Sequence, residues 1–561
     1  MRITLQTSPT ITSIVARIVV ALGVIVSGAL PVAAAPTDAS LLTAARSGDI
    51  AAVRAQLEQS ADIDARTVDG MSALHWAVRH DSVEMTELLI AAGADVGATN
   101  RYGVTPLTLA STNGNEPIVS RLLAAGADPN TRLEGGETVL MTAARTGRVE
   151  VIYTLLSAGA DPNARDDVRG QTALMWAAAE NNAAAVSALI AGGAAVSART
   201  GDLTTEDTGG VFSRAVGLTK SADSGPSFTA LLFAVQRGQF EATRALLAAG
   251  ADVNDTFPDG TSALVLAAMN GQFDLGVFLI DQGANVNAAE QGWNALHQTV
   301  RLRRTNIGHM PPPEGRGNMS NMDLIHKLLA AGIDVNAPMT ADFRDGYRNR
   351  LNRFGATPFL LASKNVDTQV MQVLLDSGAD PLIPNADLTT PLMVAAGVDM
   401  WNPGEDGGAT VEDEPEALEA VKMLVALGND VRAANDRGET ALHGAAYRGA
   451  PSIVNYLVEQ EAELDARSVQ GWTPWTIANG VFYSLFYKEQ PQTADRLEEL
   501  MAARGMSTDG MADALRTCFD CGRNLGNARG EDGRRVAQPT PDGVPSQASD
   551  EPDTQEVAPP E

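Results

Sequence analysis

Cysteine is almost missing from this chain of 561 residues: only Cys518 and Cys521 occur. Two thiols cannot frame a body of this size with disulfides. Aromatic residues make up 5%, too few for the bulky cores of barrels or sandwiches. Basic residues are in deficit, 41 against 69 acids, and the net charge of −28 excludes a general nucleic-acid binder, whose phosphate contacts need Lys and Arg. The six histidines (His75, His80, His297, His309, His326 and His443) form no His-x-x-x-His pair. No Gly-x-Ser-x-Gly elbow and no Gly-Lys-Ser/Thr phosphate loop occurs either. The expectation is therefore no catalytic residue, no metal site, no cofactor and no enzyme. What the chain does have is 44% apolar residues, 52 glycines and alanine runs such as Ala177-Ala178-Ala179. That composition can bury a core, with helices packed closely and joined by short turns.

The first 34 residues read as a secretory signal. Arg2 and Arg17 precede an apolar run, Ile18 to Leu30, and no acid occurs before Asp38. The run is shorter than the roughly 20 residues of a membrane span. Val32-Ala33-Ala34 offers the small residues a signal peptidase reads, with cleavage after Ala34; an uncleaved anchor is the alternative. No second long apolar run follows, so the expectation is a periplasmic or secreted protein with no membrane span after signal removal.

Beyond residue 66 the chain repeats itself. Gly70, Gly103, Gly136 and Gly170 fall 33, 33 and 34 residues apart. Each opens a segment such as Gly103-Val104-Thr105-Pro106-Leu107 or Gly170-Gln171-Thr172-Ala173-Leu174. A second phase runs through Gly93, Gly126 and Gly159, each starting Gly-Ala-Asp, and returns at Gly250, Gly283 and Gly378. Thr105 suits a helix N-cap and Pro106 a first helical turn. Paired leucines such as Leu122-Leu123, Leu155-Leu156 and Leu246-Leu247 give a second helix one apolar face. Gly126 and its equivalents supply left-handed C-caps. No single unit can bury its own apolar face, so neighbours must stack.

These segments resemble ankyrin repeats. The resemblance implies an all-α solenoid of stacked helix-turn-helix units with short β-turn fingers. About eleven copies occupy 67–505, beginning near Gly70, Gly103, Gly136, Gly170, Phe228, Gly260, Gly292, Gly355, Leu388, Gly438 and Gly471, and a capping helical pair precedes them at 35–66. It also implies that the histidines after Ala-Leu (His75, His297 and His443) serve a turn hydrogen-bond network. One departure is Glu461, where the tenth copy should have Gly.

The pattern is interrupted near 200–227, 302–320, 338–354 and 399–416, and long loops inside a compact repeat are often functional. Residues 301–354 carry Arg301, Arg303, Arg304, Arg316, Arg344, Arg348, Arg350 and Arg353 among Phe343, Tyr347 and Phe354. Residues 399–416 carry Asp399, Glu405, Asp406, Glu412, Asp413, Glu414 and Glu416. Two readings stand: the charges neutralise one another across the stack, or the Arg and aromatic segment is a docking patch of the residue types favoured at interface hot spots.

Cys518-Phe519-Asp520-Cys521-Gly522, within a tail segment at 506–530, lacks the His of a haem-attachment motif. In an oxidising compartment the pair makes a small local disulfide; a haem-attachment relic or a half-site shared with a partner are the alternatives. Residues 531–561 hold eight acids and six prolines with almost no large apolar side chains, the composition of a disordered acidic tail.

The resulting expectation is a monomeric, non-catalytic scaffold that binds an unidentified protein partner and no nucleic acid. The resemblance implies contacts from turn tips and groove-lining first helices. The positions here are Arg101, Tyr102, Arg132, Glu134 and Asp259 at tips and Trp76, Trp176 and Met269 on first helices, with Arg344, Tyr347, Arg348, Arg350 and Arg353 from the insert. The competing expectation is a redox or haem-enzyme accessory in which Cys518 and Cys521 act and the repeats dock.

Overall fold

The structure, a computed structural model, describes residues 38–201, 227–304, 317–341, 350–403, 413–482 and 487–511. The signal segment, Cys518 and Cys521, and the acidic tail lie outside these residues.

One copy shows how the sequence builds the unit. The Thr105 hydroxyl accepts the Thr108 N–H and starts the first helix, Pro106–Asn113. Gly114, at φ 79, turns the chain back. The Asn115 side chain then caps the second helix, Glu116–Ala124, through the Ile118 N–H. Gly126, at φ 97, leads out of it. Left-handed φ is open to Gly at little cost, so the glycine phases of the sequence are places where the backbone reverses. Non-glycine residues hold the same conformation at several of them: Leu388 (φ 61) opens the ninth copy, Ser60 (φ 56) and Glu461 (φ 67) follow the second helices of the cap and the tenth copy, and Asp81, Asn181 and Val366 make the turn between helices that Gly114 makes.

The pairs succeed one another from the cap, Asp38–Ser47 with Ile50–Glu58, to the last, Pro474–Ala478 with Pro491–Ala503. Isolated bridges at Arg66–Ser72, Arg132–Thr138 and Thr256–Ser262 pin three of the fingers. One two-stranded ribbon, Val481–Phe482 with Tyr487–Lys488, sits between the helices of the eleventh copy. A single buried core runs unbroken from Leu41 to Met511. First helices of adjacent copies pack more intimately than second helices do. They can do so because their facing residues are small: Ala77, Ala110, Ala143, Ala177, Ala234 and Ala267 are fully buried. Unequal approach of the two layers curves the stack towards the first helices, and these line its inner face.

Polar stitching runs between copies. Asp128 Oδ1 accepts the Asn130 N–H within its own turn at 2.8 Å. Asn130 then accepts the Asp161 N–H of the next copy at 2.8 Å and donates to the Gly159 carbonyl at 3.0 Å. The motif recurs at Asn163 with Ala195 and Gly193, and at Asn336 with Asp380 and Gly378. The turn carboxylates are thus engaged with their own backbone, and among the described residues no group of acids, His and Cys is arranged to hold a metal ion.

The three repeat histidines work in the same way. His75 Nδ1 accepts the Ser72 N–H at 3.2 Å, which leaves the proton on Nε2 to be donated to the Val104 carbonyl of the next copy at 3.0 Å. His297 bridges Asn294 to Ala337, and His443 bridges Thr440 to Trp472. Burial lowers the pKa of all three, that of His297 to about 4. The unfolded chain, near 6.5, therefore takes up protons first as pH falls, and stability present above pH 6.5 is lost on the way down to pH 4. The drop between pH 7 and pH 5 should be about 2 kcal/mol for His297 alone. Urea unfolding at both pH values, with His297→Gln showing the smaller drop, checks this.

Candidate interaction surface

Each first helix buries most of its residues against neighbours; the fourth position stays half-buried at Trp76, Leu109, Trp176 and Phe233, and the seventh stays at least partly exposed in the first eight copies except at Ala179. Trp76, at the fourth, is half-buried and carries two cations over its ring: the guanidinium carbons of Arg46 and Arg79 are each 5.4 Å from its centroid. Arg46 belongs to the preceding cap helix, so the stack spans two units. Trp176 repeats the arrangement with Arg145 of the preceding copy at 5.1 Å. Such contacts fix long side chains that would otherwise be mobile. Met269, at the seventh position of the sixth copy, is half-buried.

At the fingers, Arg101 covers the exposed Tyr102 ring at 4.8 Å. Arg132 reaches across one copy to the Arg165 carbonyl and the Asp167 carboxylate, both at 2.7 Å. Asp259 accepts the Thr261 N–H at 2.9 Å and belongs to its own turn. Glu134 is exposed.

The insert arginines divide. Arg344, Tyr347 and Arg348 lie outside the described residues. Arg350 is half-buried and engaged. Arg353, expected on a docking patch, is buried at 5% exposure; it follows the buried Leu351 and Asn352 into the finger of the eighth copy and cannot present its guanidinium outward. Arg303 pairs with Asp367 at 2.5 Å and Arg304 with Glu416 at 2.8 Å. These bonds carry the seventh copy to the eighth and ninth, so at these two arginines the charges neutralise across the stack. Glu414 and Glu416 stand in the first turn of the helix Glu414–Ala426, where acids are favoured by its dipole.

The start of the ninth insert forms a feature that charge reading alone misses. Val398, Asp399, Met400 and Asn402 are buried because the segment crosses the inner face of the tenth copy. Gly397 and Gly444 make the crossing possible: a Cβ on Gly444 would sit 2.5 Å from the Val398 nitrogen, and one on Gly397 2.5 Å from the Gly444 carbonyl oxygen. Gly444 occupies the fourth position of its helix, where Trp76 and Trp176 stand in theirs. Tyr447 donates to the Trp401 carbonyl at 3.1 Å, and Arg448 to the Ala395 carbonyl at 3.1 Å. Beside them Arg437, 4% exposed, faces three buried carboxylates: Asp399 at 2.6 Å, Glu439 at 2.6 Å and Asp387 at 3.6 Å. Among the described residues the inner face is therefore covered at the tenth copy and left partly exposed towards the cap, at Trp76 and Trp176.

Two substitutions test this covering. Gly444→Ala forces backbone apart and should cost about 1–3 kcal/mol, with faster proteolysis within 397–403. Arg437→Met leaves three buried carboxylates without their cation and should cost about 3–5 kcal/mol. Urea unfolding midpoints measure both.

Among the described residues no helix is long and apolar enough to cross a membrane. Comparison with known proteins places the architecture. The family description "Ankyrin repeats (3 copies)" matches residues 41–133, 113–200, 225–309 and 411–482, together more than half of the chain. A Transient receptor potential cation channel subfamily A member 1 homolog from Caenorhabditis elegans is 32% identical over 127 residues, 23% of this chain and 9% of that protein. The Notch-regulated ankyrin repeat-containing protein of Xenopus tropicalis is 56% identical over 41 residues, 7% of this chain and 36% of that protein. The chain thus spans between about a tenth and about a third of these relatives' lengths. The stretch between 309 and 411, which the family description leaves unmatched, keeps the same order of paired helices. With the glycine and Asn phases, the Thr/Ser caps and the bridging histidines in place, the chain belongs to the ankyrin repeat family.

Proposed function

We propose that this protein is a non-catalytic scaffold that holds a partner protein outside the cytoplasm, in the periplasm or after secretion. The open inner face and the fingers are the contact surfaces. The observation that carries this reading is the row of preset cation–aromatic stacks, Arg46–Trp76–Arg79 and Arg145–Trp176, on the inner face. Arg and Trp dominate binding energy at protein interfaces, and here their rotamers are fixed before a partner arrives, which lowers the entropy cost of association. The export part rests on the signal-like residues 1–34.

Crosslinking of the protein in its native compartment, followed by mass spectrometry, tests the proposal. The expected result is one reproducible partner joined to the first helices or fingers of the cap and first eight copies. Crosslinks confined to 506–530 would instead assign the function to Cys518 and Cys521.

A further inference from the structure

The seventh position of the first helix recurs once per copy along the open inner face. In the first eight copies it is occupied by Arg79, Arg145, Arg301 and Lys364, and by neutral residues in the remaining four; Arg46, 33 residues before Arg79, holds the equivalent place in the cap. No acid stands in this column, although acids outnumber bases 69 to 41 in the chain. Among the described residues many arginines are matched to carboxylates, as Arg54 is to Glu84, Arg121 to Glu87 and Arg132 to Asp167, and within the column Arg145 pairs with Glu137 at 3.5 Å. Arg46 and Arg79 are different. Both are exposed, both stack on Trp76, and neither has a carboxylate within ion-pair distance among the described residues. Two like charges are thus held over one indole with nothing to neutralise them. The column ends at the eighth copy, just before Gly397–Asn402 covers the inner face.

We propose that the inner face binds an extended acidic segment of a partner protein, read by this basic column. The inference rests on the scaffold reading above and names the chemistry of its ligand. Guanidinium groups present several fixed donors to a carboxylate, and those of Arg46 and Arg79 are already held against the Trp76 ring. Copies stack at about one helix diameter, roughly 10 Å, and an extended peptide rises about 3.3 Å per residue. One copy therefore corresponds to about three residues of ligand. A segment with carboxylates at positions 1, 4 and 10 would meet Arg46, Arg79 and Arg145, the last two copies beyond Arg79. In a chain of net charge −28 such a segment is favoured where this column of cations stands, and register follows from charge.

The test uses the full chain and a fluorescein-labelled decapeptide of serine with Glu at positions 1, 4 and 10, followed by anisotropy at about 50 mM salt, where screening is weak. Binding is expected to fall at least about tenfold for the peptide with Gln in place of Glu, and for the full-length variants Arg79→Glu and Arg145→Glu. Circular dichroism should show both variants folded. No binding of the Glu peptide, or equal binding of the Gln peptide, overturns the proposal. If the Gln peptide binds equally and Trp76→Ala still weakens it, the acidic class fails while the inner face stands. If the Glu peptide binds but responds only to Arg101→Glu or Arg132→Glu, the inner-face reading fails as well. Binding seen only after the eight acids of 531–561 are neutralised would make that segment the occupant and overturn a partner in trans.

Discussion

Everything in this molecule depends on the inability of one helix pair to bury itself. A copy such as Pro106–Asn113 with Glu116–Ala124 has one apolar face, and Ile118, Val119 and Leu122 reach full burial only with neighbours in place. Stability is then a sum of copies and interfaces. The polar groups follow the same logic: His75, His297, His443, Asn130, Asn163 and Asn336 each satisfy a group in their own turn and another in the next copy. A fold assembled this way is extended, and its useful surface is whatever the stacking leaves uncovered.

The inserts decide where that surface begins and ends. Gly397 and Gly444 allow backbone to cross the tenth copy, and Arg437 neutralises part of the charge that the crossing buries. Arg303 and Arg304 bind the seventh copy to the eighth and ninth by ion pairs, the first largely buried and the second half-buried. The C-terminal third is thereby consolidated, and the inner face stays open where Trp76 and Trp176 stand. At three copies the contrast is visible in the sequence: the fourth helical position is a half-buried Trp at Trp76 and Trp176, and is Gly444 beneath the crossing segment.

Much of the fold was legible because its causes are local. Thr, Ser and Pro at helix starts, Gly at left-handed turns and leucine pairs on second helices all recur at a fixed period, and the structure places each accordingly. The histidine role followed from the resemblance and is borne out by the bonds of His75, His297 and His443. The Gly-Ala-Asp phase identified a turn, but the stitching residue is the Asn two positions after the acid, a signal present in Gly126-Ala127-Asp128-Pro129-Asn130 and easily overlooked. Long-range outcomes were less accessible. The burial of Arg353 and Asp399 depends on how inserts fold back, and no period in the sequence encodes that. The pairing of Arg304 with Glu416, 112 residues apart, was one of two open readings until the contact of its guanidinium with both carboxylate oxygens at 2.8 Å settled it.

Hydroxyl-radical footprinting of the intact protein tests the central claim, that the inner face is open towards the cap and covered at the tenth copy. The account predicts ready modification of Trp76, Trp176 and Tyr102, the last 57% exposed, with protection of Tyr447, which is 1% exposed beneath the crossing segment. Modification of Tyr447 at the rate of Tyr102 would contradict it, because the ninth insert would then not cover the tenth copy.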